Sequence, residues 1–292
     1  MKECVDRFIS VITHNVDSED LDNFYCNIKD LKIKKLRFCG NPLSCTMTVG
    51  TYDVIKNEIK LYDGCVTDLY HELMHMASAR YEDGYRYEGF ATNCYEDSNC
   101  EYIGYGLNEG YTELLTRKYF DIKDNETDVS DGYDYLVYLA RLIEMIIGEE
   151  KMKHYYFNAD LSGVISELSK YVPKCVGEEL ICDLDYLHSI FDKKGFIKKI
   201  NTIKTIRKIK RTLFLIFSKK LSIAYKNNQI TKEVFFKRLL AFQDLIIDDV
   251  NNSLDGLCDN DLTICLNESM ENEDKTIVQE YVLARKKFID NN

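Results

Sequence analysis

Five histidines occur in the 292 residues, and two of them stand four apart in His71-Glu72-Leu73-Met74-His75. On a helix, positions i and i+4 lie one above the other on one face, so both imidazoles can reach a single ion. Glu72 falls about 100° round from His71, which places a carboxylate beside a metal-bound water. These are the groups that metal-assisted hydrolysis needs: ligands for a Lewis acid and a general base for water. A catalytic zinc takes three protein ligands and keeps a fourth position for water, so one more donor must come from elsewhere. Downstream, Asn108-Glu109-Gly110-Tyr111-Thr112-Glu113 opens a second segment that reads as helix, with Glu109 and Glu113 again four apart. One of these carboxylates can bind the metal while the other accepts the free ring N–H of a liganding histidine and fixes its tautomer.

Taken together, the two motifs resemble those of the gluzincins, the thermolysin-like clan of zinc peptidases, in which H-E-x-x-H is followed by an N-E-x-x-[ST]-[DE] helix. The resemblance covers residues 45–120, and its gap of 34 positions from His75 to Glu109 is longer than in thermolysin itself. It implies a zincin-like domain holding Zn2+ through His71, His75 and Glu109, with Glu72 as catalytic base. It also implies Glu113 as the partner of His71 and Asn108 as the support of His75. A peptide or protein substrate would then lie along an edge strand before the H-E-x-x-H helix, for which Thr46–Val54 and Glu58–Tyr62 are the candidates. The developing oxyanion would find a second donor in a histidine or tyrosine of the helical part, with His154 first and His188, Tyr155, Tyr156 and the tyrosines between Tyr81 and Tyr111 as further candidates.

Three other readings compete. A di-iron carboxylate bundle also uses E-x-x-H, here Glu72 to His75, but needs a second such motif, and the chain has none. A non-catalytic zinc-binding module would have no use for Glu72. A regulatory or toxin-like protease dedicated to one partner protein keeps the same site and differs only in its substrate.

The elements that must position these residues read as α+β: a small N-terminal sheet with metal-binding helices, then a mostly helical C-terminal region. The first thirty residues read as two helices, through Val5, Phe8, Ile9 and Ile12 and then Leu21, Phe24, Tyr25, Ile28 and Leu31, with Asp17 and Ser18 as a cap between them. From Ile33 to Asp63 the period shifts toward two, with a hairpin turn at Lys56-Asn57. A helix from Val66 to Arg80 follows, then a Gly- and Tyr-rich stretch to Gly106 that reads as a hairpin or a long loop, then a helix from Asn108 to Phe120. The acidic Asp121–Asp131 leads to helices near 133–147, 149–157 and 160–171. Pro173–Cys182 reads as a boundary, separating a metallopeptidase domain at 1–172 from a helical region at 173–292 with a polar interruption near Asn251–Asp261.

Composition narrows the classes. A hydrophobic content of 45% with 12% aromatics is that of a folded chain, not a disordered one. Met-Lys-Glu-Cys-Val-Asp-Arg-Phe lacks the apolar core of a secretory signal and no stretch has the length of a membrane span, so the expected location is the cytoplasm. Eleven cysteines without a C-x-x-C pair read there as reduced thiols, and neither Cys94 with Cys100 nor Cys175 with Cys182 has the spacing of a zinc site. Eleven of the 38 basic residues lie in Lys193–Lys220, which has no acidic residue, leaving 27 basic against 49 acidic side chains elsewhere. That block carries Ile197, Ile200, Ile203, Ile206, Ile209, Leu213 and Ile216 at helical spacing. A basic amphipathic helix over 193–220 can touch an anionic membrane surface, but in so acidic a chain a packed Ile stripe with a neutralised basic face is favoured, and nucleic acid is disfavoured.

Overall fold

The computed structural model describes residues 1–36, 50–62, 66–94, 103–122, 131–191, 196–247, 257, 259–270 and 275–290. The described chain is mostly helical, with two three-stranded sheets in its N-terminal half. It divides into two compact units that interleave in sequence: Met1–Ile165 with Leu184–Asp192, and Ser166–Asp183 with Lys193–Asn292. None of the described helices is long and apolar enough to cross a membrane.

In the first unit, α1 (Lys2–Asn15) buries Phe8 and Ile12, and α2 (Asp22–Asn27) buries Phe24. A 3-10 turn at Ser18–Asp20 joins them, with Asp17 at its cap position but no side-chain cap bond. The first sheet has the order β1-β3-β2, from β1 (Lys32–Leu36), β2 (Gly50–Asp53) and β3 (Glu58–Tyr62). The β2–β3 pair is antiparallel, and Asn57 closes the expected hairpin in the left-handed region at φ 46, which asparagine tolerates better than most residues. Of the two candidate edge strands, β3 is central, pairing with β1 on one side and β2 on the other, so only β2 lies at an edge. The Thr46–Val49 part of that candidate lies outside the described residues.

Next comes α3 (Val66–Ser78), which ends two residues earlier than its apolar pattern indicates because Ala79 and Arg80 already pair as strand. The amide of Asn27 donates to the carbonyls of Met76 and Ala79, satisfying acceptors that the helix end leaves open. The Gly- and Tyr-rich stretch forms a second sheet, a meander of β4 (Ala79–Glu82), β5 (Tyr85–Glu88) and β6 (Ala91–Cys94). Asp83 and Gly84, both at positive φ, make the tight turn between β4 and β5.

Helix α4 (Tyr105–Phe120) begins three residues before the expected Asn108. It is buried along most of its length, so no amphipathic stripe marks its start. Glycines let neighbours approach it closely: a Cβ at Gly106 would stand 2.2 Å from the Leu184 carbonyl oxygen, and one at Gly110 2.4 Å from that of Leu136. The helices α5 (Asp131–Ile147), α6 (Glu149–Phe157) and α7 (Leu161–Leu168) follow much as periodicity predicts. Phe120 of α4 stacks on Tyr70 of α3 and on Phe8 of α1, at ring separations of 3.9 and 5.7 Å, tying α3 and α4 to the N-terminal helix.

The expected break at Pro173–Cys182 is corrected: residues from Lys174 onward are the first half of α8 (Lys174–Phe191). Pro173 marks a helix start, where its fixed φ and missing N–H do no harm, not an end. The second unit contains α9 (Phe196–Lys226), α10 (Lys232–Ile247), α11 (Asp259–Ser269) and α12 (Lys275–Asp290). Most of the polar interruption near Asn251–Asp261 lies outside the described residues. On α9, Ile206, Ile209, Leu213 and Ile216 are buried, whereas Ile203 is half-buried and Ile200 is 40% exposed. The side chain of Ile197 lies outside the described residues, and the described stripe is fully packed from Ile206 onward. Lys208 pairs with Glu179 and Asp183, Arg207 with Asp261 and Arg211 with Glu268, all acids of the same unit. Lys210, by contrast, is fully buried. Cys175 and Cys182 are exposed free thiols, and Cys100 lies outside the described residues.

Candidate metal centre

Helix α3 carries His71 and His75 one turn apart on the face turned to α4, and α4 brings Glu109 to them. The His71 and His75 Nε2 atoms stand 3.0 Å apart. The Glu109 carboxylate straddles the pair, one oxygen 3.4 Å from His71 Nε2 and the other 3.6 Å from His75 Nε2. Among the described residues, these three form a group able to hold a metal ion, with their ligand atoms within 4.8 Å of one another. Two imidazole lone pairs aimed at one point need a cation or proton between them, and a carboxylate beside them supplies the balancing charge.

The Nδ1 atoms face outward, each toward a carboxylate. His71 Nδ1 is 2.9 Å from Glu113 Oε2, as the i, i+4 spacing of Glu109 and Glu113 anticipates. Glu113 in turn accepts from Arg117 Nε at 2.7 Å, and Arg117 Nη2 donates to Asp134 of α5 at 2.8 Å. His75 Nδ1 is 2.6 Å from Glu88 of β5. Asn108, the residue expected to support His75, places its Nδ2 at the longer distance of 3.4 Å from the same Nδ1, and its Oδ1 accepts the backbone N–H of Phe90 at 3.1 Å.

Glu72 is buried, and its side chain lies against Gly50 of β2, where a Cβ would approach its Cγ and Oε1 to 2.8 Å. Burial, only partly offset by His75 and His71, pushes its pKa up to about 7. Burial opposes charge on His71 as well, but the carboxylates of Glu109 and Glu113 outweigh it and raise its pKa to about 9. His75 is raised in the same way against burial by Glu88 and Glu109. Glu109 is held well below the usual carboxylate range, the two histidines overcoming its burial.

Of the expected oxyanion donors, Tyr95 and Tyr102 lie outside the described residues, and the two histidines, Tyr155 and Tyr156 have partners of their own. His154 is committed to Asp20, with Nδ1 2.6 Å from its carboxylate, and Tyr155 packs on the His154 ring. His188 packs on the ring of Tyr105. Tyr156 is fully buried with its hydroxyl 2.7 Å from Thr112 Oγ1, between Glu109 and Glu113 on α4.

Four contributors escaped the sequence reading. Arg117 extends the 109, 113 pattern by one more turn, and that repeat was a usable signal. Gly50 and Glu88 carry no local signature. Asp185 of α8 accepts the N–H groups of Gly104 and Gly106 at 2.8 Å each, capping the ligand helix from some eighty positions away. Comparison of the chain with protein-family models, curated proteins and solved structures finds no match.

Proposed function

We propose that the protein is a zinc-dependent peptidase in which His71, His75 and Glu109 hold the metal and Glu72 is the general base. The observation that carries this reading is the convergence of two imidazole Nε2 atoms and one carboxylate beside a second, buried carboxylate. Ligands about 2.05 Å from a tetrahedral zinc lie roughly 3.3 Å apart, and the observed separations of 3.0, 3.4 and 3.6 Å bracket that value. A nitrogen-rich set with one carboxylate favours zinc over magnesium or calcium, which take oxygen.

When bound, zinc supplies Lewis acidity that lowers the pKa of a ligated water toward ~7 and polarises the scissile carbonyl. Glu72 takes one proton from the attacking water as the C–O bond forms and delivers it to the leaving nitrogen as the C–N bond breaks. Glu113 and Glu88 hold the imidazoles with Nε2 inward. Glu72 packs against Gly50 of β2, an edge strand to which an extended peptide could add.

Profiling new protein N-termini after incubating a cell lysate with wild-type protein or with Glu72→Gln tests the reading. Cleavage that disappears in the variant and on chelation, and returns with zinc, supports it. A single cleaved protein would identify a dedicated protease, and zinc binding without any cleavage would favour a non-catalytic module.

A further inference from the structure

We propose that Glu88 is the positioning residue for His75, so that each metal-binding histidine is backed by its own carboxylate, Glu113 from the ligand helix and Glu88 from the β4–β5 hairpin. This rests on His71, His75 and Glu109 being the metal ligands.

The chain path brings Glu88 there. Helix α3 ends at Ser78 and the strand begins at once, so Ala79 lies one helical turn beyond His75. Ala79 pairs with Glu88 across the hairpin, which returns the glutamate to the end of the helix that bears the histidine. The turn that follows is fixed by α4 itself. Phe90 N–H donates to Asn108 Oδ1, and the Phe90 ring packs on Tyr111 and Tyr156 at 5.4 and 5.5 Å. Gly89 sits at φ 54 where a Cβ would stand 2.2 Å from Asn108 Oδ1 and 2.4 Å from the Tyr156 ring. Glu88 is thus held between the two metal-binding helices.

Hydrogen-bond chemistry then separates Glu88 from Asn108. A histidine that ligates through Nε2 carries its proton on Nδ1 and needs an acceptor there. The Glu88 carboxylate at 2.6 Å is an acceptor. Asn108 turns its NH2 toward Nδ1, because its oxygen is taken by Phe90, and a donor facing a donor makes no bond. Asn108 therefore serves His75 indirectly, by fixing the turn that carries Glu88. A charged acceptor also makes the imidazole a better donor to the metal than a neutral amide would.

The test uses the full-length zinc-loaded protein and two readouts: zinc affinity by competition with a chromophoric chelator, and the low-field proton resonances of the two imidazole Nδ1–H groups. Glu88→Ala is expected to weaken zinc binding about 10- to 100-fold and to remove or shift the His75 resonance while leaving that of His71 in place. Glu88→Gln, which preserves size and an acceptor oxygen, is expected to recover part of the affinity and to move the His75 resonance upfield, the neutral bond being weaker. It also decides the matter should the alanine variant fail to fold. An unshifted His75 resonance in Glu88→Gln, or unchanged affinity in a folded Glu88→Ala, overturns the assignment while wild-type zinc binding stands. A wild-type protein that takes up no zinc, or whose binding survives His71→Ala, overturns the metal site as well.

Discussion

Under the proposed function, replacing Gly50 by alanine would separate the chemistry of Glu72 from metal binding. The new Cβ would stand 2.8 Å from both Cγ and Oε1 of Glu72, whereas ordinary contact begins at 3.4 Å, so the carboxylate must retreat by about 0.6 Å. The obstructed atoms are the far end of a flexible side chain, so the fold is expected to absorb the change at little cost. Catalysis is less tolerant, since a 1 Å misplacement of a reacting group can cost about 100-fold in rate. Turnover should therefore fall by roughly 10- to 100-fold, with the effect in kcat and not in zinc content. The assay is cleavage of a quenched-fluorescent peptide library by wild-type and Gly50→Ala protein, each checked for zinc by mass spectrometry. Full activity in the variant would refute the placement of Glu72 against β2 as its working position. Lost zinc with intact circular dichroism would refute the separation of base from ligands.

Other expectations follow from the same geometry. Glu109→Ala should weaken zinc binding more than Glu113→Ala, because one removes a ligand and the other an orienting partner worth about 10- to 100-fold, as chelator competition would measure. In the metal-free protein, the raised pKa of His71 contributes stability that is fully present below about 6.5 and lost as pH rises through about 9, and the cost of ionising Glu72 sets in from about 4.5 to 7. The melting temperature of the chelated protein should therefore fall by several degrees from about pH 6 to pH 9, and should stay flatter with zinc bound, since the metal takes the place of the protons. In the second unit, Ile209→Asn should destabilise by roughly 2 to 5 kcal/mol as a buried position made polar, whereas Lys208→Gln should cost less than about 1 kcal/mol, since its ion pairs are exposed; urea unfolding reads both.

Legibility of the sequence followed the range of the forces. The meeting of His71 and His75 with Glu109, and of His71 with Glu113, was readable because helical spacing fixes which side chains share a face. The β2–β3 hairpin was readable from alternation and from Asn57 at its turn. Helix α4 hid its beginning, since a helix buried nearly all round has no polar face and its cap, Asp185, is distant in sequence. Glu88 was invisible for a related reason: its meeting with His75 depends on a hairpin register and on the turn at Gly89, neither of which spacing encodes. Pro173 lies between the end of α7 at Leu168 and the start of α8 at Lys174, and the residues after it continue as helix because proline both stops and starts helices. The full burial of Lys210 has no counterpart in the apolar pattern of α9.

The most direct test is hydrolysis itself, measured by mass spectrometry on a peptide library incubated in 18O-labelled water with zinc-loaded wild-type protein and zinc-loaded Glu72→Gln. The account predicts new C-termini carrying one 18O atom with the wild-type protein, none above background with the variant, and about one zinc per chain in both. Equal cleavage by the two proteins, or no cleavage by a wild-type protein shown to hold zinc at His71, His75 and Glu109, would contradict it.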